Sequence, residues 1–184
     1  MSKNKKGFTI IEVVLVLAIA GLIFLMVFIA LPALQRSQRN TQREDDLSRF
    51  LTAANDYQTN NNGKTPFKNN NNTYSVDTKF VKRYIDDECN TKDGINYSDC
   101  GAQFTDPDGT IYSMKHIAQI SKQTDVASVD SSVQNIDWPN LHTVMAYTNA
   151  SCGDEGVAEK GTGNRQYAVF YVLEGGAISC NDNH

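Results

Sequence analysis

Few residues in this chain could do chemistry, and their spacing limits what that chemistry is. Glu12 stands at the head of an apolar run, and from Val13 to Leu34 there are 22 consecutive residues without a charge or a strongly polar group. A carboxylate at full membrane depth costs about 2.5 kcal/mol or more, and less near the interface, so Glu12 asks for a partner. The sulfur chemistry is confined to Cys89, Cys100, Cys152 and Cys180. An even count in an exported domain reads as two disulfides. Of the three pairings, Cys89 with Cys100 and Cys152 with Cys180 is favoured because each bridge then closes a local unit. Zinc is the rival, but neither spacing resembles paired C-x2-4-C ligands, and His116, His142 and His184 stand apart. Asp106-Pro107-Asp108-Gly109 reads as a turn, and Asp106 and Asp108 with neighbouring carbonyls are weak calcium candidates. The acidic triplet Asp86, Asp87 and Glu88 reads as a loop feature or an ion site. There is no G-x-S-x-G, no H-E-x-x-H and no phosphate loop, and pairing the cysteines leaves none as a nucleophile. The expectation is a protein that is not an enzyme and holds no cofactor.

The elements that must position these residues begin with the apolar run. At 1.5 Å per helical residue it reaches about 33 Å, enough to cross a hydrocarbon core of about 30 Å. An ordinary secretory signal, with a core from Phe8 to Leu17 and Ala18-Ile19-Ala20 as its cleavage pattern, would be interrupted by Glu12 and followed by another apolar stretch. An uncleaved signal anchor leaves Gly7 without a role. Past the run, residues 35–46 are polar on every side, and Arg36, Arg39 and Arg43 read as a solvated helix face. Leu47, Phe50, Leu51, Ala54 and Tyr57 then fall on one helical stripe. One helix is predicted from Thr9 to Tyr57, bending if anywhere at Pro32 and stopped by Asn60, Asn61, Asn62 and Gly63.

Residues 59–103 read as an Asn-rich loop region with one short helix, capped by Asp77 and apolar along Phe80, Val81, Tyr84 and Ile85. Thr110 to Ile117, Leu141 to Thr148, Gln166 to Leu173 and Ala177 to Cys180 are strand candidates in an antiparallel sheet, the last two joined by Glu174-Gly175-Gly176. Residues 118–140 are ambiguous, with Trp138 read as core. About 120 residues after the helix suffice for one modest core.

The octet Lys5-Lys6-Gly7-Phe8-Thr9-Ile10-Ile11-Glu12, followed by the long aliphatic run, resembles the class III leader and mature start of type IV pilins and pseudopilins. The resemblance covers Lys5 to Tyr57 well and the remainder only in style. It implies that a prepilin peptidase cuts after Gly7 and methylates the new N-terminal residue, Phe8, and that Glu12 is the assembly residue. Gly21 also falls on a family position, whereas Pro32 comes later than the family's helix-breaking proline. The implied fold is α+β, the type IV pilin fold: one long N-terminal helix, transmembrane in its first half, packed by its second half on a C-terminal antiparallel sheet. Its parts would be a leader (1–7), a transmembrane and assembly helix (8–34), an amphipathic continuation (35–58), a loop region with the first cysteine pair (59–109) and the sheet with the second (110–184). Asp106-Pro107-Asp108-Gly109 followed by Tyr112 resembles the Asp-Pro-x-Gly turn of type II secretion pseudopilins.

Cutting after Gly7 would place a positive α-amino group on Phe8, at i to i+4 from Glu12, so amine and carboxylate share a helix face and a membrane depth. Between packed helices, the Glu12 of one subunit could take the amine of another and relieve both desolvation costs. Removing residues 1–7 takes three of the 17 basic residues and leaves 14 against 21 acidic ones, a side-chain balance of −7. Such a surface makes nucleic acid an unlikely main ligand. The resemblance implies a structural pilin subunit, stored in the cytoplasmic membrane as a precursor and polymerised by the pilus assembly machinery into an extracellular homo-oligomeric filament for adhesion, motility or DNA uptake. The alternatives are a minor pilin, a pseudopilin of a type II secretion or competence system, and a tip adhesin or DNA-binding pilin. In a filament, Arg36, Arg39 and Arg43 would have acidic neighbours to meet.

Overall fold

A computed structural model describes residues 7–70, 73–85, 90–91, 97–99, 104–119, 124–125, 142–154, 157–163 and 165–183. The chain divides after Arg39 into two compact units. A single helix, α1 (Ile10–Asn60), runs through the boundary and includes Pro32. It ends where the sequence predicts an end: Asn62 and Gly63 both take positive φ, 57° and 77°. The Gly63 N–H then donates back to the Gln58 carbonyl at 2.8 Å and closes the last turn. In the first unit the large apolar side chains of Phe8 and of α1 are open to the surroundings, from 90% exposure at Phe8 to 47% at Val27 and Leu31. The helix is long and apolar enough to cross a membrane, and so much continuous apolar surface is not left to water in a soluble protein.

The second unit is built on a six-stranded sheet. Its strands are β3 (Asn90–Thr91), β4 (Tyr97–Asp99), β5 (Ser113–Gln119), β7 (Thr143–Thr148), β10 (Tyr167–Val172) and β11 (Ile178–Asp182), in the spatial order β11-β10-β7-β5-β4-β3. A hairpin, β1 (Phe67–Asn70) with β2 (Thr73–Val76), and a small sheet of β6 (Thr124–Asp125), β9 (Val157–Lys160) and β8 (Ala150–Cys152) complete it. The layout is α+β, as expected, with two corrections. The β5–β7 pair is parallel, with Ser113 opposite Thr143 and Met114 opposite Val144. A parallel pair needs a crossover of a dozen or more residues, and the ambiguous stretch between these two strands is long enough to make one. The Asn-rich region also holds strands, β1 to β4, in place of a loop. Asp77 caps α2 (Thr78–Phe80) by accepting from the Lys79 N–H at 2.8 Å, and a π-helical turn, Val81–Ile85, carries the predicted apolar face onward. The acidic triplet 86–88, Cys89, Cys100 and Trp138 lie outside the described residues.

Strands β7 and β10 are buried at every position. Alternation sends Tyr167, Val169 and Tyr171, with Val144 and Ala146, to a core shared with Leu47, Phe50, Ala54 and Tyr57 of α1. The opposite face carries Ala168, Phe170 and Val172, with Met145 and Tyr147, into a second core closed by Ala150 and Ala158 of the small sheet. The Cys152–Cys180 disulfide ties β8 to β11 across a separation of 28 residues, a loop worth about 3–4 kcal/mol on the chain-entropy account.

The reading of Arg43 as solvated is overturned, because its side chain is buried. Its Nε and Nη2 donate to the Asp106 carboxylate at 2.6 and 2.7 Å, and its Nη1 donates to Glu174 at 2.7 Å. Asn40 exchanges hydrogen bonds with the Glu174 backbone: Nδ2 donates to its carbonyl and Oδ1 accepts its N–H. Asp46, one turn on, accepts from Tyr112 at 3.0 Å. Arg43 and Asp46 are buried because the apolar stripe extends backward through their positions, and a charge there must find a partner.

Burial alone would raise the Asp106 carboxyl, but the Arg43 hydrogen bonds, with the Asp108 N–H and the Tyr171 hydroxyl, hold it below its ordinary value. Asp77 is lowered in the same way: burial opposes, while Lys68, the Lys79 N–H and Tyr57 prevail. Asp46 is raised, chiefly by burial. A depressed carboxyl adds stability above its unfolded pKa, near 4, and loses it as pH falls through the folded value. A raised one works in the opposite sense, so with two against one, urea unfolding at a series of pH values should show stability falling below about pH 4. Arg43→Met should cost about 3–5 kcal/mol by stranding buried carboxylates, and adding Asp106→Leu should recover roughly half or more of that loss. Urea midpoints that make the double variant as unstable as the sum of both single ones would show that the two residues do not act as a pair.

Candidate processing and assembly site

Phe8 and Thr9 precede the first turn of α1, and the turn's geometry follows from the Thr-x-x-Glu pattern at 9–12. The Thr9 N–H and hydroxyl both donate to Glu12 Oε2, at 3.0 and 2.8 Å. The Glu12 N–H donates back to Thr9 Oγ1 at 3.4 Å. This is a reciprocal capping box, which satisfies amides that a helix start leaves open and sets a carboxylate where the helix dipole favours it. Phe8, Glu12, Val13, Leu15 and Val16 line one apolar groove of about 390 Å³. Phe8 and Glu12 therefore do share a face, as i and i+4 spacing requires. Gly7 is exposed, with no atom within 4 Å of where a Cβ would sit. Crowding in the fold therefore does not explain the glycine.

The other expected site residues lie in the second unit. Cys152 and Cys180 are joined, as the local pairing predicts, whereas Cys89 and Cys100 lie outside the described residues. Asp106 and Asp108 shape the expected turn. The Gly109 N–H donates to the Asp106 carbonyl at 2.8 Å, the Asp108 N–H to Asp106 Oδ1 at 3.1 Å, and the Thr110 N–H to Asp108 Oδ1 at 2.8 Å. Gly109 takes φ 88°, which fits a residue without Cβ. Asp106, Asp108 and His142 together have the composition of a cation site. Asp106, however, already accepts from Arg43 twice, from Tyr171 at 2.8 Å and from Asp108, which fills the four lone-pair positions of a carboxylate. The buried ion pair thus accounts for the Asp106 carboxylate in this turn.

With the helix start and its exposed apolar surface described, the comparison with known families is decisive for one stretch. Residues 2–28 match the prokaryotic N-terminal methylation motif. The chain carries a class III leader. The methylation motif is that of pilin-like and pseudopilin precursors, and with the apolar helix behind it, it fits a membrane-anchored precursor. It covers Gly7, Phe8, Thr9, Glu12 and Gly21 and leaves the second unit unmatched. No curated protein and no solved structure matches the chain.

Two features of these side-chain sites were missed from the sequence. The role of Thr9 was signalled by its spacing from Glu12, which fits a capping box as well as an assembly residue. The Arg43–Asp106 pair was signalled only by position, since Arg43 and Asp46 fall four residues before Leu47 and Phe50 on the buried stripe.

Thr9→Val keeps the side-chain shape and removes the hydroxyl. Losing the cap should cost about 1 kcal/mol and speed hydrogen exchange at the amides of residues 10–13 about fivefold in micelles. Unchanged exchange would show that the box contributes nothing to the helix start.

Proposed function

We propose that the chain is a structural subunit of a type IV pilus: cleaved after Gly7 by a prepilin peptidase, N-methylated on Phe8, and polymerised through α1 into an extracellular filament. The observation that carries the proposal is the matched motif heading a helix whose apolar side chains from Phe8 to Leu34 are exposed. In the cytoplasmic membrane lipid can cover that surface, and in a filament the same helices of other subunits can. Glu12 is the single carboxylate on it, and after cleavage the Phe8 α-amino group becomes its cationic counterpart. Held in the Thr9 cap, the Glu12 carboxylate stays satisfied while the subunit is alone. It can then trade a cap hydrogen bond for the amine of a neighbour, and a pair made between subunits in a low dielectric fixes axial register. The fold contributes no catalytic step to this role. The partners are other copies of the chain, the peptidase and the assembly machinery. A pseudopilin of a secretion machine is the second reading, favoured by the Asp106 to Gly109 turn, and a scarcity of the chain in sheared filaments would support it.

Two variants test the proposal. Gly7→Val should leave uncut precursor in the membrane, because a side chain beside the scissile bond blocks the peptidase, and normal filaments from this variant would refute the processing step. Glu12→Val should be cut, inserted and as stable as the wild type, since an apolar side chain is easier to hold in lipid than a carboxylate. It should nevertheless reach sheared filaments poorly. Immunoblots of the membrane and filament pools separate the outcomes: equal filament yield removes Glu12 from assembly, and loss from both pools returns it to the monomer.

A further inference from the structure

At the far end of α1 lies a polar cleft of about 350 Å³, lined by Gln58, Thr59, Gly63, Arg165, Gln166 and Asn183. Its floor is fixed by amides that satisfy one another. Gln58 Nε2 donates to the Arg165 carbonyl at 2.9 Å, Asn183 Nδ2 donates to the same carbonyl at 3.0 Å and to Gln58 Oε1 at 3.3 Å, and Asn183 Oδ1 accepts the Tyr167 N–H at 2.9 Å. The Arg165 guanidinium lies flat across Gly63: a Cβ there would stand 2.9 Å from Cζ and 3.1 Å from both Nε and Nη1. The φ of 77° is what calls for glycine at position 63, and the guanidinium rests in the space that the missing side chain leaves. Among the described residues no hydrogen bond or ion pair engages the guanidinium. Gln166 uses its Oε1 to accept from the Thr162 N–H and hydroxyl, which leaves its two amide donors without a partner among those residues. Thr59 donates to the Asn55 carbonyl at 2.9 Å and keeps a hydroxyl oxygen that can accept.

An arginine fork without a carboxylate, beside spare amide donors and a hydroxyl acceptor, describes the complement of a ligand. We propose that this cleft binds a small carboxylate-bearing saccharide, its carboxylate taken by the planar Arg165 fork and its ring hydroxyls by Gln166 and Thr59. The volume is at the small end of ligand clefts, and the polar lining disfavours an acyl chain or an aromatic ring. The acidic balance of the chain, −4 over its full length, repels a polyanion and tolerates a monoanion. The proposal does not depend on the filament reading, because the residues named for the cleft all belong to one subunit.

The test is isothermal titration of the full-length chain in neutral detergent micelles with glucuronate, with glucose, and with inorganic phosphate. Saturable glucuronate binding is expected, with glucose and phosphate each weaker. Arg165→Gln should weaken glucuronate about tenfold or more, the loss of one charged bidentate contact. The Arg165 guanidinium, lying against Gly63 just past the end of α1, is also near the negative end of a helix whose last turn has no basic residue, so the melting temperature of the variant is followed as well. A lowered melting temperature with no glucuronate binding by the wild type would assign Arg165 to the helix end alone and overturn the proposal. Unchanged affinity in Arg165→Gln overturns it too, and phosphate binding as tight as glucuronate overturns the saccharide class.

Discussion

One helix is asked to satisfy two solvents, and the rest of the molecule follows from that demand. From Phe8 to Leu34 every large apolar side chain of the chain's first unit is presented outward, which is stable only against lipid or against like helices. From Arg43 to Tyr57 the same helix turns a buried stripe to a protein core. No break in the backbone separates the two regimes, since α1 continues through Pro32 and through the polar residues that follow. The change of solvent is written entirely in side chains. That is why the charged positions on the helix carry so much information: each charge either lies where water reaches it or has been given a partner.

Glu12 and Arg43 are two that could not be left to water, and they are handled by opposite means. Glu12 is satisfied locally, by a residue three positions away and by the helix start itself. Arg43 is satisfied by residues remote in sequence, Asp106 and Glu174, and by Asn40 beside it. A local solution can be exchanged without disturbing the fold, which suits the assembly role proposed for Glu12. A remote one cannot, because removing it leaves buried carboxylates behind.

The same contrast decides how much could be read from the sequence. The long helix, its stop at Asn62 and Gly63, the Asp77 cap, the stripe from Leu47 to Tyr57 and the Cys152–Cys180 bridge were legible because each is a local pattern. So was the N-terminal methylation motif, whose marker residues lie within a few positions of one another. The parallel pairing of β5 with β7 was hidden, because strand direction depends on where a long connection leads and not on the strand's own residues. The hairpin of β1 and β2 was hidden by its Asn-rich composition, which resembles a loop until Phe67 and Val76 find the core. The burial of Arg43 was hidden by convention: a charge on a helix is read as solvated, although here its place on the stripe argued otherwise. The cleft around Arg165 was least legible, since α1, the turn after it, the residues just before β10 and Asn183 each supply part of it.

The distance in sequence between Arg43 and its partners also sets a clock. Glu174 lies 131 residues after Arg43, and Asp106 lies 63 after it. At about 5–20 residues per second of synthesis, roughly 7–26 s separate the arginine from the last group that completes its network. For that interval the guanidinium must remain hydrated, and the helix surface destined for the core must remain open. Strand β11 arrives later still, bringing Cys180 to Cys152. The domain therefore closes from its carboxyl end, with the last-made hairpin acting as the latch on the first-made helix.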